Sequence, residues 1–195
     1  MIDFEAAKEF VLNKLKKELK SGLCYHCYGH TIDVYESAIK LAKLEGVKGK
    51  DLVLLKTAAL YHDTGFLLEY NEHEEKSAKV TRELLPQFGY SEQDIEVITA
   101  MITATKLPQK PTTLLEKILC DADLDYLGRD DFFMIAGKLL CEWNINGFPT
   151  PLKKWYHIQV DFLNNNNYFT SSAKSLRIEK KNENLTQILE LLSEN

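Results

Sequence analysis

Apolar residues recur at helical spacing along almost the whole chain, and no run of β-branched residues alternates with polar residues at a period of two. This pattern predicts helices alone. The predicted helices cover about residues 3–20, 29–46, 50–63, 73–88, 91–105, 112–126, 129–147, 151–165 and 171–193. Turn residues support these limits: Gly46 and Gly49 bracket one turn, and Ser91 with Asp94 forms the pattern of a capped helix start. We therefore expect an all-α fold, with residues 1–195 in a single domain.

Composition narrows the classes of function. With 195 residues, 45% of them hydrophobic and 27% charged, the chain can bury a core and falls outside the disordered class. Its formal net charge of -5 argues against bulk nucleic acid as the main partner, because binding to the phosphate backbone needs a dense field of lysine and arginine. No apolar stretch approaches the roughly 20 residues that span a bilayer. We expect a cytoplasmic protein with no membrane partner, and the sequence leaves its oligomeric state open.

Three polar side chains are expected to point towards the core. His30, His62 and Asp123 each share an apolar stripe of their own predicted helix, and Asp63 follows His62 directly. A carboxylate directed at a core must be neutralised, hydrogen-bonded or bound to a cation. Taken singly, each residue has an ordinary structural explanation, such as a core histidine bonded to a carbonyl or an aspartate that caps a turn. Together, two imidazoles and two carboxylates from three helices form a ligand set suited to one divalent first-row ion.

The four cysteines do not indicate a disulfide framework. Cys24 and Cys27 form a C-x-x-C pattern, which a zinc site would use, but Cys120 and Cys141 lie far away and form no second pair. Reduced thiols packed near helix ends are therefore the preferred interpretation.

Four motifs carry a resemblance to a known family. They are YHCYGHT at residues 25–31, AALYHDTGF at 58–66, YNEHEEKSA at 70–78 and ILCDADLDYLG at 118–128. In their order and spacing the chain resembles the HD superfamily of metal-dependent phosphohydrolases, and in particular its small stand-alone bacterial members. The resemblance covers about residues 24–128 and implies an HD-type helical bundle, which the helices of residues 129–195 would complete.

The resemblance also implies a site. The metal ligands fall on His30, His62, Asp63 and Asp123, and they would hold one divalent ion, whether Mn, Mg, Co, Ni, Zn or Fe. Such an ion acts as a Lewis acid on a phosphoryl oxygen and activates a water as nucleophile. Asp63 is the candidate catalytic residue because it could also accept a hydrogen bond from that water. Asp33, one turn after His30, could orient the imidazole of His30; a solvated Asp33 is the alternative.

The chain departs from the better-known subfamilies. Nucleotidases and stringent-response enzymes of this superfamily have a glutamate soon after the His-Asp doublet, where this chain continues Thr64, Gly65, Phe66. No equivalent general acid is evident. The GYP signature of cyclic-di-nucleotide phosphodiesterases is also absent, and a phenylalanine stands where they have a lysine. The sequence therefore assigns no particular substrate.

Further residues are candidates for binding substrate. His73 occupies the place where binuclear members bind a second metal, but the next helix offers Thr105 and Lys106 and no histidine. We therefore predict a single ion, with His73, Thr105 and Lys106 as substrate-binding residues. His26 and His157 are interpreted as structural. Lys110 and Arg129 could bind a phosphate, but charged side chains on loops are more commonly solvated.

The function predicted from the sequence is a metal-dependent phosphohydrolase, either a phosphomonoesterase or a phosphodiesterase, whose partner is a small phosphorylated or nucleotide-like molecule. Two alternatives stay open. The first is a non-catalytic HD module that senses a nucleotide or docks a partner, which the missing general acid favours. The second is a di-iron oxygenase of the HD type, which needs more ligands than the sequence provides.

Overall fold

The structure is a computed structural model that describes residues 1–194. Across this range it contains nine α-helices and no strand. The helices are α1 Phe4–Glu18, α2 Tyr28–Leu44, α3 Gly49–Tyr61, α4 His73–Leu84, α5 Glu92–Ala104, α6 Leu114–Asp123, α7 Phe132–Ile145, α8 Leu152–Asn165 and α9 Ser171–Ser193. The predicted all-α fold is confirmed, and each helix falls within one of the predicted segments or within a residue of it.

Three of the predicted helices end early and continue as 3-10 turns. The turns are Thr64–Leu67 after α3, Leu85–Phe88 after α4 and Asp125–Gly128 after α6. Pro86 explains the second, because its ring removes an N–H donor and clashes with the preceding helical turn. The first and third turns follow Asp63 and Asp123 closely, so two of the candidate ligands lie at helix ends, where the backbone changes direction.

The core lies between α2, α3, α5 and α6, which pack against one another, while α1 covers α3 and α4 covers α5. Leu55, Leu60, Ile98, Ile102 and Leu119 are among its fully buried side chains. Burying a side chain of this size contributes about 1.5–3 kcal/mol relative to leaving it exposed. This core fixes the ends of the three helices that carry the candidate ligands.

The helices α5 and α6 start at capping boxes. Ser91 and Asp94 exchange side-chain and backbone hydrogen bonds at the start of α5, as the sequence predicts, and Thr113 and Glu116 do the same at α6. These bonds satisfy N–H groups that have no partner within the helix. The α6 cap fixes the first turn of the helix whose last residue is Asp123.

Gly65 allows the turn after Asp63 to approach α4. A Cβ at Gly65 would lie 2.0 Å from the carbonyl oxygen of His73, so no other residue fits this backbone without a shift. The Gly65 N–H donates to Ser77 Oγ at 2.7 Å. The contact holds the start of α4, and with it His73, beside the His-Asp doublet.

Within residues 1–194, no helix combines the length and the apolar character that crossing a membrane requires.

Candidate functional site

The four predicted metal ligands converge on one point. His30 Nε2 lies 3.3 Å from His62 Nε2, 3.4 Å from Asp63 Oδ2 and 3.3 Å from Asp123 Oδ1. His62 Nε2 lies 3.3 Å from Asp63 Oδ2 and 3.6 Å from Asp123 Oδ1. His30 comes from α2, the doublet from the end of α3, and Asp123 from the end of α6. We call these four residues the His/Asp cluster.

The ring of His62 is oriented by the backbone. Its Nδ1 lies 2.8 Å from the carbonyl oxygen of Ala59. A carbonyl oxygen only accepts, so Nδ1 carries a proton, and whenever the ring is neutral its Nε2 presents a lone pair to the cluster. Metal-bound histidines in proteins are oriented in this way by their second nitrogen.

The cluster is incomplete as it stands. Asp63 Oδ2 is buried and lacks a hydrogen-bond partner among the described residues, and the two imidazole nitrogens of His30 and His62 face each other. Ligand atoms about 2.0–2.2 Å from a common centre in tetrahedral arrangement stand about 3.4 Å apart, and the separations among His30, His62 and Asp123 are 3.3–3.6 Å. Within the described chain, His30, His62 and Asp123 bring three ligand atoms within 4.8 Å of one another, and Asp63 lies beside this group, next to the two imidazoles, rather than within it. These residues therefore fit a divalent ion, although their role as ligands stays a prediction.

The charges of the cluster are coupled to one another. Burial lowers the pKa of His62, but the carboxylate of Asp63 raises it well above its ordinary value. Burial likewise raises the pKa of Asp63, and the positive charge of His62 holds it well below its ordinary value. Protons and a divalent ion therefore compete for the same atoms, so acid is expected to weaken metal binding.

A cavity of about 250 Å³ opens beside the cluster, and we call it the chamber. Asp63 and Asp123 line part of it, and α7 and α8 supply another part of its wall. The residues of that second part are Leu139, Trp143, Trp155, Ile158, Gln159 and Phe162. Ligand sites typically combine such apolar lining with a few convergent polar groups.

His26 lines the chamber and is held by a buried glutamate. Its Nδ1 lies 2.5 Å from Glu142 Oε1, and Glu142 has no exposed surface. Glu142 also accepts the backbone N–H groups of Tyr25 and His26 at 2.9 Å and the hydroxyl of Tyr70 at 3.1 Å. Burial lowers the pKa of His26, but the hydrogen bond to Glu142 outweighs it, and the pKa is raised. Glu142 thus favours the protonated form of His26 in the chamber wall.

His73 and Thr105, two of the predicted substrate-binding residues, line the chamber. His73 Nε2 lies 3.5 Å from Asp63 Oδ1 and 3.5 Å from Glu74 Oε1. Burial lowers the pKa of His73, which favours its neutral form. Thr105 is buried, and its hydroxyl donates to the carbonyl oxygen of Ile102 at 2.8 Å.

Two other candidates point elsewhere. Lys106 lies outside the residues that line the chamber, and its ammonium group is 2.6 Å from Glu75 on the exposed surface. Asp33 accepts two hydrogen bonds from the guanidinium of Arg129, at 2.7 and 2.8 Å. These bonds occupy the carboxylate that was a candidate for orienting His30, so Asp33 is not solvated alone, and its hydrogen bonds go to Arg129 rather than to His30. They also engage Arg129, a loop cation considered for phosphate binding.

Two residues that line the chamber, His26 and Gln159, and Glu142, which holds His26, were not predicted from the sequence to belong to the site. His26 was interpreted as structural, and Glu142 and Gln159 were not singled out. The signal for Gln159 was its place in α8 between Trp155 and Leu163, at steps of four, where all three side chains are buried. A polar residue within an apolar stripe is the same pattern that identified His30.

The cysteines are free thiols, with the sulfurs of Cys24 and Cys141 3.3 Å apart.

Known proteins share this fold over nearly the whole chain. A solved structure of a predicted HD superfamily hydrolase from an uncultured Thermotogales bacterium is 22% identical, with 95% of this chain and 91% of that one covered and a TM-score of 0.63. Bacillus subtilis YpgQ, solved in complex with ADP, is 19% identical, with 97% of both chains covered and a TM-score of 0.66. At these identities the likeness establishes the fold.

Sequence comparison identifies the family. A relative from Clostridium beijerinckii, described as an uncharacterized protein, is 34% identical over 88 residues, or 44% of this chain. This chain spans about half of that curated relative, since the matched part is 54% of its length. Residues 27–125 match the HD domain family. The matched half of the chain contains all four members of the His/Asp cluster, and the protein belongs to the HD domain family.

Proposed function

We propose that this protein is a metal-dependent phosphohydrolase that acts on a small phosphorylated, nucleotide-like molecule. The observation that carries the proposal is the His/Asp cluster, in which the buried Asp63 Oδ2 has no hydrogen-bond partner among the described residues and whose two carboxylates line a cavity of about 250 Å³. The HD-fold neighbours support a hydrolase, and YpgQ, which binds ADP, supports a nucleotide-like ligand.

His30, His62, Asp63 and Asp123 would hold one divalent ion. When bound, such an ion supplies Lewis acidity to a phosphoryl oxygen and lowers the pKa of a nearby water. Asp63 also presents a second oxygen, Oδ1, towards His73 and the chamber. Because the pKa of Asp63 is held low, this oxygen serves as a hydrogen-bond acceptor that orients a water, rather than as a strong base.

His26 and His73 would handle the phosphate. The neutral ring of His73 can donate one N–H to a phosphoryl oxygen, and the positively charged ring of His26 attracts the phosphate and can give a proton to the leaving oxygen. Glu142 keeps the imidazole of His26 protonated and in place through the 2.5 Å contact. His26 thereby supplies the acid function that the sequence lacks directly after the doublet.

Metal analysis and a turnover assay test this proposal. Protein stripped with chelator and reloaded with Mn, Mg, Co, Ni, Zn or Fe(II) should bind about one ion per chain and hydrolyse members of a panel of phosphate esters and nucleotides. His62→Ala should lower turnover by more than about 100-fold, since even residues that only support a ligand cost about 10–100-fold. His157→Ala, the same change on an exposed face of α8, is the matched control.

A nucleotide sensor is the second candidate. Thr64, at the position after the doublet, is fully buried and donates its hydroxyl to the carbonyl oxygen of Tyr61 at 2.8 Å, so it offers the site no acid. If nucleotides bind the ion-loaded protein and no phosphate compound of the panel is hydrolysed, the sensor replaces the hydrolase. An unchanged ion content in His62→Ala would remove the proposed metal site altogether.

A further inference from the structure

Besides Asp63, a glutamine in the wall of the chamber has a side-chain oxygen without a hydrogen-bond partner among the described residues. Gln159 lies on the buried face of α8, between Trp155 and Leu163, and its side chain lines the chamber. The residue is 3% exposed, and its Oε1 is buried without a hydrogen-bond donor among the described residues. A buried carbonyl oxygen without a donor is destabilising, and its presence in a native structure requires an explanation. This oxygen can accept a hydrogen bond from a ligand in the chamber.

The neighbouring walls of the chamber are flat and aromatic. Trp143 and Trp155 meet edge to face, with ring centroids 5.2 Å apart. Phe66 also lines the chamber and is stacked against His26 and His73, with ring centroids 4.3 and 4.2 Å away, while those two imidazole rings are 5.6 Å from each other. Aromatic walls favour a planar ring as ligand, since rings pack against each other in stacked or edge-to-face arrangements.

The size of the chamber limits the ligand. Its volume of about 250 Å³ lies below the roughly 300–1,000 Å³ of sites that enclose drug-sized ligands. It therefore accommodates one ring system and excludes a second nucleotide unit. The same cavity is bordered by Asp63 and Asp123, so a molecule that fills it would bring its other end to the His/Asp cluster.

We infer that the chamber binds the nitrogen heterocycle of a mononucleotide-like substrate, and that Gln159 Oε1 accepts a hydrogen bond from an N–H group on the edge of that ring. This inference rests on the proposed function for the phosphate end of the molecule. An alkyl chain would fit the apolar walls but would leave the amide oxygen unpaired. A bare sugar phosphate would place its hydroxyl groups against tryptophan and isoleucine. A heterocycle with an N–H donor can pack against the aromatic side chains and also donate a hydrogen bond to the amide oxygen of Gln159.

Paired ligands and a conservative variant test the inference. Adenosine and cytidine nucleotides are compared with purine riboside and 2-pyrimidinone riboside nucleotides, which lack only the exocyclic amino group, all with a non-hydrolysable phosphate bridge. Binding to the manganese-loaded protein is followed by tryptophan fluorescence, because both tryptophans of the chain line the chamber. The wild type should bind the amino-bearing member of at least one pair about tenfold more tightly, which corresponds to about 1.4 kcal/mol.

Gln159→Met should abolish this preference and raise the melting temperature. Methionine keeps the length of the side chain and removes the unpaired oxygen, so the ligand-free variant should melt about 2–4 °C higher than the wild type. Gln187→Met makes the same change on an exposed position of α9 and should alter neither quantity. A variant that keeps the full preference, or that loses stability, would overturn the role of Gln159.

The two proposals fail in different ways. If nucleotides bind with the expected preference but are not hydrolysed, the chamber assignment stands and the phosphohydrolase proposal fails. If ribose 5-phosphate is hydrolysed as efficiently as nucleotides, and no heterocycle quenches the tryptophan fluorescence, the phosphohydrolase proposal stands and the chamber assignment is wrong.

Discussion

Two groups of charged side chains each include one residue of α2, His30 in one and Asp33 in the other, and they differ in how completely they are paired. One is the His/Asp cluster. The other, here called the arginine cluster, consists of Asp33, Asp125, Arg129, Asp131 and Arg177. In the arginine cluster, Arg177 donates two hydrogen bonds to Asp125, at 2.7 and 2.8 Å. Arg129 donates two to Asp131, at 2.9 and 2.6 Å. Such two-pronged pairs are the strongest geometry for these groups.

The His/Asp cluster has no comparable pairing. Its closest separations are 3.3 Å, and Asp63 Oδ2 has no hydrogen bond among the described residues. Three carboxylates and two arginines satisfy one another, whereas two carboxylates and two imidazoles converge on a shared centre. The difference teaches that buried charge alone does not mark a functional site. A functional site is indicated by buried charged groups that have no complete set of partners among the described residues.

The largest expected effect is on the stability provided by the arginine cluster. Arg177→Met keeps the apolar stem of the side chain but leaves the carboxylate of Asp125, with 5% side-chain exposure, without its main partner. Breaking a buried pair in this way costs about 3–5 kcal/mol. Denaturant unfolding should show this loss, while the ion content of the folded variant stays at about one per chain.

Lys180→Met is the control on the same helix. Its partner Asp130 is 94% exposed, and exposed ion pairs contribute about 0–1 kcal/mol. If the two variants lose equal stability, or if Arg177→Met also loses its ion, the distinction between the two clusters is wrong.

The next effect is on stability that depends on metal. An ion that binds only the folded state at 100 times its dissociation constant adds about 2.7 kcal/mol to the free energy of unfolding. Thermal unfolding with and without manganese should show this gain for the wild type and lose most of it for Asp63→Asn, which removes the charge of a proposed ligand. The comparison of each variant with its own ion-free form cancels any direct effect of the substitution.

Asp33→Asn separates the two clusters within α2. Asp33 is one turn from His30 but is bonded to Arg129, so the gain from manganese should persist in this variant. A loss of ion affinity of about 10–100-fold would instead show that Asp33 supports His30, which is one of the two roles that the sequence left open.

The sequence predicted the helices well because each is encoded locally, by apolar spacing and by its end residues. It also predicted which side chains converge, since His30, His62 and Asp123 each interrupt an apolar stripe. The 3-10 turns after α3 and α6 were not predicted, because backbone geometry at a helix end depends on contacts such as the approach of Gly65 to His73. Local patterns define helices but not where their ends meet.

The chamber could not be predicted from the motifs. Part of its wall comes from α7 and α8, more than a hundred residues after His30, and tertiary packing alone brings the two together. The same limit applies to Lys106, whose partner Glu75 lies 31 positions away. Sequence patterns show that a residue is polar and which way it faces, but its partner decides whether it binds substrate or stabilises the fold.

The pair formed by His26 and Glu142 stands between the two clusters, and its expected effect is the smallest. Glu142 is fully paired, as in the arginine cluster, whereas His26 also faces the chamber. In the folded state the pKa of His26 is raised, so the stability from its protonation is fully present below its unfolded pKa of about 6.5. This stability is lost as the pH rises through the pKa that His26 has in the folded state. The pKa of Glu142 is lowered, because its bond to His26 outweighs burial, so its contribution is lost as pH falls through that lowered value.

Glu142→Gln should therefore destabilise the chelator-treated protein most between about pH 4.5 and 6.5, where both groups of the pair are charged in the folded state. The expected loss is about 1.5 kcal/mol, the lower end for hydrogen bonds to charged groups, since glutamine keeps one carbonyl oxygen. The difference from wild type should shrink towards pH 9 but not vanish, because the carboxylate still accepts two backbone N–H groups. Tyr70→Phe removes another bond to Glu142 without a group that titrates in this range, so its loss should be independent of pH. Urea unfolding at pH 5.5, 7 and 9 measures both differences, and a Glu142→Gln loss that grows with pH would show that His26 is neutral in the fold.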